Sequence, residues 1–419
     1  MTRQVNDCFS AAEDMLSVDD ARTLITRNCQ QVTSTESVSL PDACGRILAE
    51  DIFSKINVPP TDNSAVDGYA FRFSDYNKTQ NLLFNVKGRS AAGTPFDGEL
   101  TEGDCVKIFT GAIMPAGCDT IAMIEDVEHV ADSVRLPSGL KAGANRRFAG
   151  EDVIKGAQIL AKGDFLRPQE IGRLACVGAD HVPVYKKLRI ALLSTGDELV
   201  SPGTVLPDGG IYDSNRYILA ALLKKYGCTV SDHGIVEDKF ETIRDTIADA
   251  ASKNDLVITS GGVSMGDEDH VKAAVEANGS LHFWRIAIKP GRPLALGQIK
   301  GTPFVGLPGN PVAAMICAMQ FVRPLIAAMS GQRSFELPTP IIGKAAFTMT
   351  KKIGRREWVR GRYHMDETGK IHIEKYSADG SGLISSLVWS NGIIELDENT
   401  SQINESDLLK IIPYSGLFE

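Results

Sequence analysis

Apolar residues between 186 and 330 fall into short runs separated by amphipathic stretches, the clearest pattern in the chain. Runs at 188–194, 229–235, 255–260, 281–288, 292–296 and 304–307 read as strands. Between them, 215–226, 240–252, 270–277 and 312–329 place apolar residues at helical spacing. Ile218, Leu219, Leu222 and Leu223 form such a stripe on the first. Repeated strand–helix alternation predicts a largely parallel sheet covered by helices. Ligands of such sheets lie beyond the carboxyl ends of the strands, so chemistry is expected there.

The flanks have a different texture. Residues 17–29 read as a capped helix with Ala21, Leu24 and Ile25 on one face. From 66 to 160, short runs at 82–86, 105–109, 120–124 and 133–136 are broken by Gly, Pro and Asn, which predicts a β-rich lobe. Arg167-Pro168-Gln169 starts a helix over 170–177. From Pro338 onward the chain returns to short strands and predicts a small C-terminal β domain. The fold class is thus multidomain α/β plus β.

Length and charge narrow this picture. A chain of 419 residues suggests two to four domains. With 44 basic and 53 acidic residues the net charge is −9, which argues against a general nucleic-acid binder but not against a local anion site. Charges scattered through residues 1–19 exclude a secretory signal there. Residues 301–322 carry no charge, yet Pro303, Pro308, Gly309, Asn310 and Pro311 make them a buried strand–loop–helix rather than a membrane span. The eight cysteines show no C-x-x-C pair and read as reduced thiols of a cytoplasmic protein.

Four strand ends share one design. The first is Ser194-Thr195-Gly196-Asp197-Glu198, and the second runs from Ser260-Gly261-Gly262 through Ser264 to Gly266-Asp267. The third is Lys289-Pro290-Gly291-Arg292-Pro293, joining two strands, and the fourth is Leu307-Pro308-Gly309-Asn310-Pro311. Glycine lets backbone N–H groups approach an oxyanion, and hydroxyls add donors. Helices expected after Gly266 and Asn310 offer positive N-termini, with Asn310 as cap and Pro311 as first residue. Lys289 and Arg292 add formal charge. Any one loop could be a plain turn, but four at one rim point to an anion site.

Carboxylates crowd the same ends: Asp197, Glu198, Asp238, Asp267, Glu268 and Asp269. They would repel an anionic ligand unless a cation intervenes, and Mg²⁺ fits an all-oxygen environment beside phosphate. Helix capping is the rival reading for Asp267 and Asp269 and explains Glu198 and Asp238 less well. Two further polar clusters, 62–70 and Arg146-Arg147-Phe148-Ala149-Gly150-Glu151-Asp152, lie outside the α/β region. The basic stripe Lys351, Lys352, Arg355, Arg356, Arg360 and Arg362 reads as a solvated edge strand or a phosphate grip.

Gly262-Val263-Ser264-Met265-Gly266 also matches the G-x-S-x-G elbow of serine hydrolases, with His282, His364 and His372 as candidate partners. His282 falls inside an expected strand, and the acids at 267–269 oppose a developing oxyanion. The phosphate-loop reading ranks above the hydrolase.

These motifs, together and in this order, resemble the bacterial MoeA proteins and the E domain of gephyrin. The likeness spans nearly the whole chain and rests on 62–70, 109–112, 150–152, 195–199, 212–215, 260–269, 288–293 and 306–311. It implies a molybdopterin molybdenumtransferase that inserts molybdate into adenylylated molybdopterin, releases AMP and depends on Mg²⁺. It implies four domains: 1–48 with 150–180, a β-rich 49–149, a MogA-like α/β 181–331, and 332–419. It further implies a homodimer whose active cleft is shared between subunits, and a molybdopterin adenylyltransferase as the partner delivering substrate.

Carried over by motif, Asp62, Asp152, Glu198, Asp238 and Asp269 would be the functional acids, with Glu198, Asp238 and Asp269 on the metal. Thr110, Arg147, Ser194, Gly196, Gly261, Gly262, Ser264, Lys289, Arg292, Pro308, Pro311, Arg360 and Ser381 would contact substrate. Two departures stand out: Arg285 occupies a position expected to be lysine, and Val66 one expected to be methionine. A binding or scaffold protein without catalysis is the second reading, which the retained acids disfavour.

Overall fold

The computed structural model describes residues 16–28, 31, 34–78, 80–262, 270–291 and 293–418. Its α/β unit is built on a six-stranded sheet. The strand order is Thr229–Val236, Arg189–Thr195, Leu256–Ser260, Thr302–Leu307, Pro293–Ile299, Gly279–Arg285. The first four strands are parallel, as expected. Pro293–Ile299 alone runs the other way, antiparallel to both Thr302–Leu307 and Gly279–Arg285. The reason lies in the connections. Only Lys300 and Gly301 separate Pro293–Ile299 from Thr302–Leu307, and both have positive φ, 52° and 89°. Two left-handed residues make the tight turn of a hairpin and leave no room for a crossover helix.

Alternation along the strands divides the core. Ile190, Leu192, Leu256 and Ile258 face one side, under Asn215–Lys225 and Pro311–Met329. Ala191, Leu193 and Val257 face the other, under Phe240–Lys253 and His270–Asn278. The helix Val18–Asn28 buries Val18, Ala21 and Ile25 in the first of these cores, so its apolar face belongs to the α/β unit. Pro311–Met329 is long and apolar enough to cross a membrane, but 89% of its most apolar window is buried inside the protein.

The expected strand 281–288 splits. Gly279–Arg285 stays in the α/β sheet, whereas Ile288–Lys289 pairs in parallel with Arg356 and Glu357 of the C-terminal sheet. That sheet closes on itself, because Arg356–Met365 pairs with both Ile371–Lys375 and Gly392–Leu396. The basic stripe is therefore not an edge. Arg360 is only 5% exposed because its strand has neighbours on both sides.

The β-rich lobe holds a second six-stranded sheet around Tyr69, Phe71, Phe84 and Ala122. Beside it, Thr35–Ser39 pairs with His181–Tyr185 and Ile52–Phe53 with Gln158–Leu160, enclosing Leu48, Leu166, Leu174 and Val182. Chain segments on either side of the β lobe thus share one small core.

Candidate functional site at the strand ends

The rim is shaped by three strand ends that touch. After Ser260, Gly261 and Gly262 have φ of 87° and 65°, a region costly for any residue with a Cβ. Space excludes one as well. A Cβ at Gly261 would lie 2.8 Å from the Thr195 carbonyl oxygen, and one at Gly262 would lie 2.4 Å from Thr195 Oγ1 and from Val271 Cγ2. Gly196, with φ 144°, would place its Cβ 2.6 Å from Glu198 Oε2, so the Glu198 carboxylate folds back over it. Gly261 N–H donates to the Leu307 carbonyl at 3.1 Å, joining this loop to the one after Thr302–Leu307.

Hydroxyls at these ends are uncommitted. Ser194 Oγ, Thr195 Oγ1 and Thr259 Oγ1 are buried with no hydrogen-bond partner among the described residues. Buried polar atoms are almost always paired, so these orphans beneath the glycine loops, Ser194 on one face of the sheet and Thr195 and Thr259 on the other, are candidate donors to a ligand at the strand ends. The helix N-terminus after Asn310 offers less than the sequence suggested. Pro311 has no N–H, Val312 N–H donates to the Ser381 carbonyl at 3.0 Å, and Asn310 makes no side-chain cap.

The acids gather partly as expected. Burial pushes the Asp238 carboxyl above its ordinary range; Asp197 and Glu198 add to this by repulsion, and His270 opposes it. Asp238 and Glu198 are thus close enough to feel each other. Among the described residues no set of three or more His, Cys, Asp or Glu forms a ready-made metal cage. Asp269, the third expected ligand, lies outside the described residues, as do Ser264 and Arg292 and the side chain of Arg285.

The C-terminal unit contributes to the same rim. Lys289 pairs with the buried Glu357, Nζ to Oε2 at 3.2 Å. A Cβ on Gly291 would be 3.6 Å from Pro308, which sets the 289–291 turn against the fourth loop. Arg360 donates to Ser386 Oγ at 3.0 Å and to the Ala378 and Gly380 carbonyls at 3.2 and 3.1 Å. Those bonds shape residues 378–381, where Ser381 meets the helix that begins at Pro311.

Four expected site residues fall outside the α/β unit: Asp62, Thr110 and Arg147 in the β lobe, and Asp152 beside Val153 of the small neighbouring core. Asp62 accepts from the Ala149 N–H at 2.8 Å and from Arg146, and these donors hold its carboxyl below the ordinary range. Arg147 is exposed on the two-residue strand beside it, and Asp152 is exposed with its N–H on the Val58 carbonyl. Thr110 gives both its N–H and its hydroxyl proton to Asp67 Oδ1, each at 2.8 Å. Among the described residues no hydrogen bond or ion pair links this group to the α/β rim. Sequence reasoning missed Asp67; its only signal was a second acid inside the 62–70 motif.

The hydrolase reading gains nothing. His364 and His372 stack on each other in the C-terminal sheet, centroids 5.5 Å apart, and His372 pairs with Asp366 at 2.8 Å. His282 lies in the strand Gly279–Arg285.

A glycine-and-hydroxyl rim at the ends of parallel strands, flanked by β units, suits an anionic ligand. Comparison with known proteins agrees. Residues 16–178 match the "MoeA N-terminal region (domain I and II)", 191–328 a "Probable molybdopterin binding domain" and 343–414 the "MoeA C-terminal region (domain IV)". A Haemophilus influenzae protein named molybdopterin molybdenumtransferase is 42% identical over 96% of this chain and 100% of its own length. Gephyrin of Dictyostelium discoideum is 35% identical over 95% of this chain and 62% of its own. The crystal structure of the Pyrococcus horikoshii molybdopterin biosynthesis protein MoeA superposes with a TM-score of 0.82 at 29% identity, covering 96% of this chain and 100% of that one. The chain belongs to the MoeA family of molybdopterin molybdenumtransferases.

Proposed function

We propose that the chain inserts molybdenum into adenylylated molybdopterin, consuming molybdate and releasing AMP. What carries this reading is one juxtaposition. Orphaned donors on Ser194, Thr195 and Thr259 sit at the same strand ends as Glu198 and Asp238. The donors suit a phosphate or molybdate oxygen, and the acids suit a reaction that needs a cation beside those oxygens.

Within this reading the glycine loops hold the phosphate side of the substrate, with Gly196, Gly261, Gly262 and Ser264 as its wall. Arg360 keeps Nη1 free of partners among the described residues while its other nitrogens are anchored, so it presents a fixed charge near Ser381 and Pro311. Lys289 and Arg292 add charge at the third loop. Glu198 and Asp238, with Asp269, would hold Mg²⁺; the hard oxygens of these acids and the repulsion between Glu198 and Asp238 fit such an ion. When bound, Mg²⁺ supplies positive charge next to the phosphates.

Thr110, Arg147 and Asp152 are exposed and Asp62 is half-buried, all away from the α/β rim, so in this reading they serve a second surface. A homodimer in which the β lobe of one copy meets the α/β rim of the other would supply it. We place this enzyme in the cytoplasm, receiving its substrate from a molybdopterin adenylyltransferase. The test is reconstitution: incubation with adenylylated molybdopterin, molybdate and Mg²⁺ should yield cofactor that activates a molybdenum-free apo-oxidoreductase. Cofactor formation no faster than without the protein would remove the reading.

A further inference from the structure

The motif Tyr212-Asp213-Ser214-Asn215 belongs to none of the four loops, and the function above gives it no role. In the structure it has a definite place. Asn215 is the first residue of the helix Asn215–Lys225 and only 8% exposed. Its Nδ2 donates to two groups, Ser260 Oγ at 2.9 Å and the Gly309 carbonyl at 2.6 Å. Ser260 leads into the second loop and Gly309 is the centre of the fourth. One amide therefore spans both.

The amide's orientation is fixed by chemistry. A carbonyl can only accept, so the group facing Gly309 must be the NH₂. That leaves Oδ1 on the other side, buried and without a partner among the described residues, like Ser194 Oγ of Arg189–Thr195. Ser194 and Ser260 are register partners on parallel strands and point to the same face of the sheet, beneath the loops.

The rest of the motif holds Asn215 in place. Asp213 accepts from the Arg216 backbone N–H at 3.2 Å and from Arg216 Nε at 3.0 Å. Arg216 Nη1 reaches Asp232 on the edge strand at 2.6 Å. Asp213 and Arg216 are both buried, at 2% and 7% exposure. A buried ion pair of this kind fixes geometry more than it adds stability.

We propose that Asn215 is a positioning residue for the reaction: it latches the 260–262 loop to the 308–310 loop so that both hold the substrate as one rigid jaw. The proposal rests on the molybdenumtransferase reading for its substrate. Unlatched loops still fold, because Gly261 N–H keeps its bond to Leu307. They lose the fixed spacing that matches the ligand, so binding suffers more than turnover.

The experiment compares wild type with Asn215→Ala and Asn215→Asp, measuring AMP release, thermal unfolding and molybdopterin binding by fluorescence. We expect KM to rise tenfold or more while kcat stays within threefold and the unfolding temperature changes little. Asn215→Asp should be at least as impaired as Asn215→Ala, because its carboxylate faces the Gly309 carbonyl and cannot donate to it. A packing role alone reverses that order, since aspartate preserves the shape. Asn215→Ser replaces the alanine variant if the latter does not fold. Wild-type KM in Asn215→Ala, or a better Asn215→Asp, overturns the latch. Binding reads the latch without turnover. A protein that releases no AMP yet loses molybdopterin affinity tenfold in Asn215→Ala keeps the latch and loses only the catalytic reading; unchanged affinity overturns the latch.

Discussion

Thr110 gives its backbone N–H and its hydroxyl proton to the same oxygen, Asp67 Oδ1, at 2.8 Å each. The hydroxyl has one proton, so Thr110 faces any ligand as an acceptor only. Asp67→Ala should therefore misplace Thr110 and lower kcat/KM for AMP release by about tenfold to a hundredfold. The double variant with Thr110→Ala should be no worse than the poorer single one. Fully additive losses would mean that the two act independently.

Asp238 offers a test by pH. Its folded-state carboxyl binds a proton more tightly than the ordinary 3.8, mainly because it is buried and then because Asp197 and Glu198 repel it. A raised acid favours folding only at low pH and costs stability as pH rises through its raised value. Asp238→Asn should thus raise the unfolding temperature at pH 7 without Mg²⁺, by about 2 °C. Added Mg²⁺ should stabilise wild type at pH 7, much less at pH 4, and Asp238→Asn at neither. Equal Mg²⁺ stabilisation of both proteins in calorimetry would remove Asp238 from the metal site.

The two glycine loops should tolerate a methyl group differently. Gly262→Ala forces a Cβ to 2.4 Å from Thr195 Oγ1 and Val271 Cγ2 at positive φ. Overpacking and left-handed strain together should cost about 2–4 kcal/mol, measured by urea unfolding. Gly309→Ala meets only the Gly261 Cα at 3.8 Å and should stay within about 1 kcal/mol of wild type. Equal losses would contradict the packing of these loops.

Arg360 is anchored by three hydrogen bonds from a buried guanidinium. Lysine cannot reproduce that fork. Arg360→Lys should cost about 2 kcal/mol or more of stability in urea unfolding and, in our functional reading, should raise KM for molybdate. Wild-type stability in Arg360→Lys would show that the anchoring bonds contribute little.

Much of this was legible in the sequence, and the gaps have physical causes. Helices at Asn215–Lys225 and Phe240–Lys253 and the four parallel strands follow from hydrophobic period alone. The antiparallel pair at the sheet's edge was missed because a Lys–Gly turn carries a weaker signal than Asn–Gly. The basic stripe misled because charge along a strand says nothing of its neighbours; the C-terminal sheet closes around Arg360 and buries it. Loop glycines marked the rim, since only their backbone freedom fits there. Asp67 and Asn215 lie in the 62–70 and 212–215 motifs, but their roles stayed hidden because each acts through partners far along the chain, Thr110 for one, Ser260 and Gly309 for the other.

AMP release reads the chemistry at the rim directly. Wild type given adenylylated molybdopterin should release AMP only when molybdate and Mg²⁺ are both present, and folded Glu198→Ala should release none. Release by Glu198→Ala at the wild-type rate, or none from wild type under full conditions, would contradict it.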